Sequence, residues 1–484
     1  MPRKDPVGSP LASLVPILQA VGGLSLSGYA WAVFDPTGFS AMAAAIVPAC
    51  RLIGAGCITG GFAYAWWKSR RRPLTPTHED WACGTYITGL PGSGKTAFAY
   101  LLAHEFCQRG WGWIWISIKS SLPLLSYLPP EAQGRCLLFA PYSDHPLGIN
   151  FLRTYTNSST ERELIADQAA ELFERLHSAM SGNMRELIRM GTLALLLWAD
   201  HQRIEVTLWE LYRFFQEEAF RGKVLATAPK PVRDAFGSDE IRRQTLQAVR
   251  AQLRRAVASE NLLVALSQQD GIDLWRVMNE ERFLVCDTPE ALLGPAVAGF
   301  LCTVIASRVQ MLTSRRPVAS RPFGCFNDEF QEYSNPSFAK GIATGREFGL
   351  AWVLIHQSRA NQAIGKEVSG AVHLCGNRYY FQQTPEDARA ALEATEERWE
   401  KSEFTHLPKR HYRALRRIHG QPVVTDGVTP DLPAPDPDLA AAVIERSQTG
   451  PTRVEILAAI QKRKVVGRND DHNREGTPAA AGTV

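Results

Sequence analysis

Between Gly89 and Thr96 the chain reads Gly-Leu-Pro-Gly-Ser-Gly-Lys-Thr, which satisfies the pattern GxxxxGK[ST]. That pattern suits one task, the cradling of a polyphosphate. Gly89, Gly92 and Gly94 allow the backbone to curl so that successive N–H groups, including that of Ser93, point at phosphate oxygens. Lys95 supplies a cation for the β and γ phosphates, and the Thr96 hydroxyl suits Mg²⁺. A β-branched run, Gly84 to Thr88, precedes the loop and a helical run, Ala97 to Gln108, follows it. The dipole of a helix starting there would add positive potential at the same place.

Hydrolysis of a bound triphosphate also needs acids that hold the metal shell and orient water. The run Phe323-Gly-Cys-Phe-Asn-Asp328-Glu329 places two adjacent carboxylates just past an apolar strand. Asp328 is expected to serve the Mg²⁺ through water, and Glu329 to polarise the attacking water. Phe283 to Asp287 ends in a single acid, read here as the terminus of a core strand. The lysine and the acid pair lie far apart in sequence, so much of the intervening chain must be an excursion from one α/β sheet.

The elements fit that arrangement. Strand patterns occur at Gly84 to Thr88, Trp111 to Ile118, Cys136 to Ala140, Phe283 to Asp287, Phe323 to Asn327, Leu350 to Ile355 and Arg378 to Phe381. Helical patterns separate them, as in a parallel sheet covered by helices. From 159 to 276 the periodicity is helical almost throughout, which predicts an inserted all-helical subdomain. The expected division is an N-terminal anchor 1–72, a first part of the nucleotide-binding domain 73–158, the insert 159–276, a second part 277–420, and a mostly disordered tail 421–484 with a short helix near Val454 to Lys462.

Leu11 to Phe34 carries no charge and exceeds the ~20 residues that a helix needs to cross a bilayer. Met42 to Trp67 is a second apolar run interrupted by Arg51, and Lys68, Arg70, Arg71 and Arg72 follow it. With Arg3 and Lys4 ahead of the first run, the positive-inside rule predicts a multi-pass hairpin whose two ends and main body face the cytoplasm. Lys plus Arg number 53 against 49 acids, a net charge of +4, which is a mild pointer to anionic partners. The nine cysteines contain no CxxC pair, which disfavours a zinc site or a disulfide framework.

These features together resemble the type IV coupling proteins of bacterial conjugation and type IV secretion (TraG/TraD-like), membrane-anchored hexameric ATPases of the RecA-like class. The resemblance rests on the two-helix anchor, Gly89 to Thr96, the helical insert, Asn327-Asp-Glu-Phe330, and Gly345-Arg346-Glu-Phe-Gly349 followed by a strand ending at Gln357-Ser358. Ser117-Ile-Lys119, Leu138 to Pro141 and Gly148 to Leu152 are similar to the family's stretch after the second strand. Where that family has an acid and a glycine flanking the lysine, this chain has Ser117 and Ser120.

The resemblance implies a RecA-like P-loop NTPase domain, ATP and Mg²⁺ as cofactors, and location in the bacterial inner membrane. It implies a homo-hexamer that passes DNA, expected single-stranded with an attached relaxase, to the proteins of a type IV secretion channel. It further implies that Arg346 reaches a neighbouring subunit's γ-phosphate and that Gln357 reports nucleotide state. A membrane-tethered double-stranded DNA pump of the FtsK/HerA kind, and a nucleotide-gated adaptor for protein cargo, are the alternatives. On helix Asp239 to Ala265, Arg243, Arg250 and Arg254 share one face, which suits either phosphate contacts or solvent.

Overall fold

The computed structural model describes residues 77–156, 158–176, 180–237, 240–334, 336–357 and 366–463. The expected membrane hairpin within 1–72 lies outside the described residues. Among the described residues, one helix, Pro295–Thr313, is long and apolar enough to cross a membrane, but it is mostly buried within the protein.

Among the described residues, nine strands form one sheet. They are β1 Thr85–Thr88, β2 Trp113–Ser117, β3 Cys136–Phe139, β4 Phe283–Asp287, β5 Phe323–Asp328, β6 Leu350–His356, β7 Asn377–Tyr380, β8 His411–Ile418 and β9 Gln421–Val428. The order across the sheet is β3-β4-β2-β5-β6-β1-β7-β8-β9. The seven strands from β3 to β7 run parallel, and β8 and β9 continue the edge as an antiparallel hairpin. Every residue of β2, β4, β5 and β6 is buried, which explains why these segments read as continuous apolar runs rather than alternating ones.

The pleat sends alternate residues to opposite faces, and each face has its own helical cover. On one face, Trp113, Trp115, Phe326 and Val353 pack against helix α1, Lys95–Gln108, through Phe98, Leu102 and Phe106. On the other face, Ile114, Ile116, Leu284, Cys325 and Leu354 meet an unbroken run of helices. That run comprises α2 Ser159–Leu176, α3 Gly182–Gln202, α4 Leu208–Gln216, α5 Glu218–Thr227, α6 Lys230–Asp234, α7 Glu240–Ala258, α8 Glu260–Leu266 and α9 Leu274–Asn279. Helix α10, Pro295–Thr313, lies among them and buries Phe300, Leu301, Val304, Ile305, Val309 and Leu312. At roughly 1.5 to 3 kcal/mol per buried large apolar side chain, its length and hydropathy are those of a core helix.

Local signals break two helical stretches, the second of them within the helix expected over Asp239 to Ala265. Glu217 takes an extended conformation between α4 and α5. Ser259 ends α7 and caps α8, its hydroxyl accepting from the Leu262 N–H. The arginine face of α7 is engaged at Arg250. Arg250 donates from Nε to the Phe215 carbonyl (2.7 Å), satisfying the C-terminal end of α4, while Arg243 and Arg254 are exposed.

The tail requires a correction: the short helix expected near Val454 to Lys462 is present as Arg453–Lys462, but a strand and a further helix between 421 and 447 were not expected. β9 pairs along the whole of β8 through a two-residue turn at His419 and Gly420, both at positive φ. The Asp80 carboxylate accepts the backbone N–H groups of both turn residues (2.8 and 2.9 Å). Helix α11, Pro437–Ser447, buries Leu439 and Val443, and α12, Arg453–Lys462, buries Ile456 and Ile460 against Leu263 and Val264. Proline and aspartate dominate only the connector 429–436 between β9 and α11, and their abundance obscured the apolar positions on either side. The described cysteines, Cys83, Cys107, Cys136, Cys286, Cys302, Cys325 and Cys375, are all buried and unbridged.

Candidate functional site

The register fixes where chemistry can gather. β1 pairs Thr88 with His356, β5 pairs Asp328 with Ile355, and β2 pairs Ser117 with Asp328. The C-terminal ends of β1, β6, β5 and β2 therefore form one row, and segments that follow them share a single edge. Ligands of open parallel sheets sit at this carboxyl edge.

The phosphate loop leaves β1 at this edge and enters α1 at Lys95. Gly89, Gly92 and Gly94 all take positive φ, of 154°, 74° and 112°. A Cβ on Gly94 would lie 3.0 Å from the Arg410 Cα. The loop is clasped from outside: Leu90 N–H donates to the Gln382 carbonyl and Arg410 N–H to the Ser93 carbonyl, each at 2.7 Å. Lys95 is buried, and its ammonium donates to the carbonyls of Gly89 (2.6 Å) and Leu90 (2.9 Å). Ser93 Oγ is buried with no hydrogen-bond partner among the described residues, and Thr96 is exposed.

Two strands away, β5 delivers Asp328 and Glu329, both buried. Glu329 is held at φ 52° and ψ 42°, a left-handed conformation that costs a non-glycine residue of order 1 kcal/mol or more. That conformation ends the strand. The Glu329 carboxylate is heavily engaged: Oε1 receives Lys119 Nζ and Gln357 Nε2, and Oε2 receives Gln331 Nε2 at 2.7 Å. Ser117 Oγ lies 3.5 Å from Asp328 Oδ2 and accepts the Lys119 N–H at 3.0 Å. A hydroxyl thus faces Asp328 where an acid would have repelled it.

The electrostatics tie the two halves together. Burial pulls Lys95 down to about 8, even though the charges of Glu329 and Asp328 act to raise it. Burial and the neighbouring Glu329 push Asp328 up to about 6 despite Lys119 and Lys95. Burial would also raise Glu329, but hydrogen bonds from Lys119, Gln331 and Gln357 outweigh it and hold the group below its ordinary value. Lys95, Asp328, Glu329 and Lys119 act on one another as a single charge cluster.

Of the residues singled out from sequence, Gly89, Gly92, Ser93, Gly94, Lys95, Thr96, Asp328, Glu329 and Gln357 belong to this edge, and Arg346 does not. Arg346 is exposed in a short turn, Gly345–Phe348, ahead of the first residue of β6. Six strand rises of ~3.3 Å put it roughly 20 Å from the carboxyl edge. Asp287 lies in the core strand β4 and accepts the Ser121 N–H (2.5 Å), Ser120 Oγ (3.2 Å) and the Tyr142 hydroxyl. It thereby pins the turn after β2. His356 is fully buried, bonded through Nδ1 to the Tyr86 hydroxyl (3.0 Å). The sequence assigns no role to Lys119, although Ser117-Ile-Lys119 falls in the stretch similar to the coupling proteins just past a buried strand.

Sheet order, phosphate loop and acid pair define the class, a P-loop nucleotide-binding α/β fold with one strand, β6, between the loop strand and the acid strand. Its particular likenesses in fold include coupling proteins and VirB4. The bacterial conjugative coupling protein TrwB, lacking its first 70 residues, aligns over 76% of this chain and 91% of its own, with a TM-score of 0.57 and 14% identity. TrwB in complex with ADP and Mg²⁺ aligns over 75% and 89%, with a TM-score of 0.57 and 15% identity. VirB4 of Thermoanaerobacter pseudethanolicus aligns over 70% and 88%, with a TM-score of 0.50 and 14% identity. No family model matches the chain, and no curated protein matches it in sequence.

Proposed function

We propose that this chain is an ATPase of conjugation or type IV secretion that couples ATP hydrolysis to the transfer of DNA or a nucleoprotein. The observation that carries the reading is the convergence of Lys95, Asp328 and Glu329 on one sheet edge, in a fold shared with TrwB, which has been solved with ADP and Mg²⁺. The donor set fits a Mg²⁺-nucleotide: a glycine cradle, a buried serine hydroxyl without a partner among the described residues, an exposed threonine hydroxyl, and a carboxyl whose desolvation a cation would relieve. Thr96 and Asp328 would hold the Mg²⁺, which neutralises charge on the phosphates as they separate. Lys95 exchanges its loop carbonyls for phosphate oxygens, and Glu329 orients water toward the terminal phosphorus.

A role for Arg346 at the nucleotide would depend on assembly. It lies too far from its own chain's phosphate loop to contact the same nucleotide, so an arginine-finger role requires a neighbouring copy, as in a ring. A cytoplasmic body anchored by the hairpin within 1–72 in the bacterial inner membrane completes the reading.

The test is ATP turnover by residues 73–484 with and without single- and double-stranded DNA. Lys95→Ala should abolish turnover, and mixing it with Arg346→Ala protomers should restore part of it. Turnover unaffected by Lys95→Ala would overturn the reading. Lack of stimulation by either DNA would favour the adaptor alternative.

A further inference from the structure

The ion pair between Lys119 and Glu329 joins unlike environments. The lysine side chain is 52% exposed, whereas the glutamate side chain is 6% exposed. A half-exposed lysine gains little from a surface carboxylate, but here it is directed inward onto a desolvated one. Its turn is built for that purpose. Lys119 N–H donates to Ser117 Oγ at 3.0 Å, Thr288 Oγ1 donates to the Ser117 carbonyl at 2.7 Å, and Glu290 N–H donates to the Ile118 carbonyl at 2.8 Å. Asp287 fixes Ser120 and Ser121 from the next strand.

The consequence falls on Glu329. Lys119 and Gln357 both donate to Oε1 and Gln331 to Oε2, so the carboxylate that must accept from water is occupied by protein donors. Seated on Glu329 Oε1, the Lys119 ammonium also acts on Lys95 and Asp328, so its charge belongs to the cluster at the phosphate loop.

Building on the nucleotide-site reading above, we propose that Lys119 is a latch responsive to the γ-phosphate. Without nucleotide, or with a diphosphate, its ammonium holds Glu329 Oε1; with a triphosphate it transfers to the terminal phosphate oxygens and vacates one of the two acceptor positions of Oε1 for water, the other staying with Gln357. Its long, half-exposed side chain permits the movement while the pinned backbone turn stays in place. The latch keeps the carboxylate silent until the γ-phosphate is present.

Binding alone tests this, through a double-mutant cycle with Lys119→Met and Glu329→Gln against a non-hydrolysable ATP analogue and ADP, each with Mg²⁺. A transferring lysine loses its glutamate partner and gains the phosphate. Lys119→Met should therefore weaken analogue binding about threefold in the wild-type background and about tenfold or more in Glu329→Gln, where no partner has to be given up. ADP affinity should not respond to Lys119→Met in either background, and Lys119→Arg should retain analogue affinity. Equal analogue affinity with and without Lys119 in both backgrounds would overturn the latch while leaving the nucleotide site standing. Failure of the wild-type chain to bind either nucleotide would overturn the site reading and the latch together.

Discussion

Asp328 offers a measurable energetic signature of the site before any nucleotide is added. Burial and the charge of Glu329 raise its carboxyl from the ordinary 3.8 to about 6. At about 1.4 kcal/mol per pH unit, ionising it in folded, metal-free protein costs about 3 kcal/mol once the pH is well above that value. The folded state binds this proton more tightly than the unfolded chain. Its stabilising contribution is therefore complete below 3.8 and is lost as pH rises through about 6. Asp328→Asn keeps the size and removes the titration, so the variant should gain on wild type by about 1 kcal/mol between about pH 5 and about pH 7. Equilibrium urea unfolding of both proteins, in chelator and without nucleotide, reads that difference. Calorimetry of Mg-ADP binding near pH 6 in buffers of different ionisation enthalpy should show proton release by wild type in excess of the variant. A stability difference that does not change with pH, together with equal proton release, would refute the assignment of Asp328 as a desolvated carboxyl awaiting a cation.

Lys95, pulled by burial to about 8, should lose its charge as pH rises through that value. ADP affinity of wild type should then fall about tenfold per pH unit, whereas Lys95→Arg, which stays charged, should bind with a pH-independent affinity in the same calorimetric titration. Gly94→Ala places a Cβ 3.0 Å from the Arg410 backbone at φ 112°, so it should lose about 1 to 3 kcal/mol of stability and bind nucleotide more weakly. In α10, Leu301→Ala removes a fully buried side chain and should cost about 2 to 5 kcal/mol in denaturant unfolding.

The loop from Gly89 to Thr96 was legible because its glycines, lysine and threonine are adjacent in sequence and flanked by a strand and a helix. Asp328 and Glu329 were legible for a similar local reason, an apolar run that ends in two acids. Contacts between distant segments left no such trace. Nothing in the local sequence indicates that Arg410 clasps Ser93, that Asp80 fixes the turn at His419, or that Lys119 holds Glu329. Arg250 looked like one of a line of solvent-facing arginines because periodicity gives the face of a helix but not the carbonyls beside it. The β9 strand was hidden by its proline and aspartate content, since an edge strand of a hairpin tolerates residues that a central strand excludes. The distance of Arg346 from the phosphate loop follows from the register of β6, which only the fold supplies.

The account depends on a single nucleotide bridging the phosphate loop and the acid pair. The most direct measurement is an experimental structure of Glu329→Gln with ATP and Mg²⁺. The account predicts the triphosphate on residues 89–96, Mg²⁺ between Thr96 Oγ1 and Asp328, and the Lys119 ammonium on the γ-phosphate. A nucleotide bound elsewhere, or bound at the loop with Asp328 and residue 329 remote from its terminal phosphate, would contradict it.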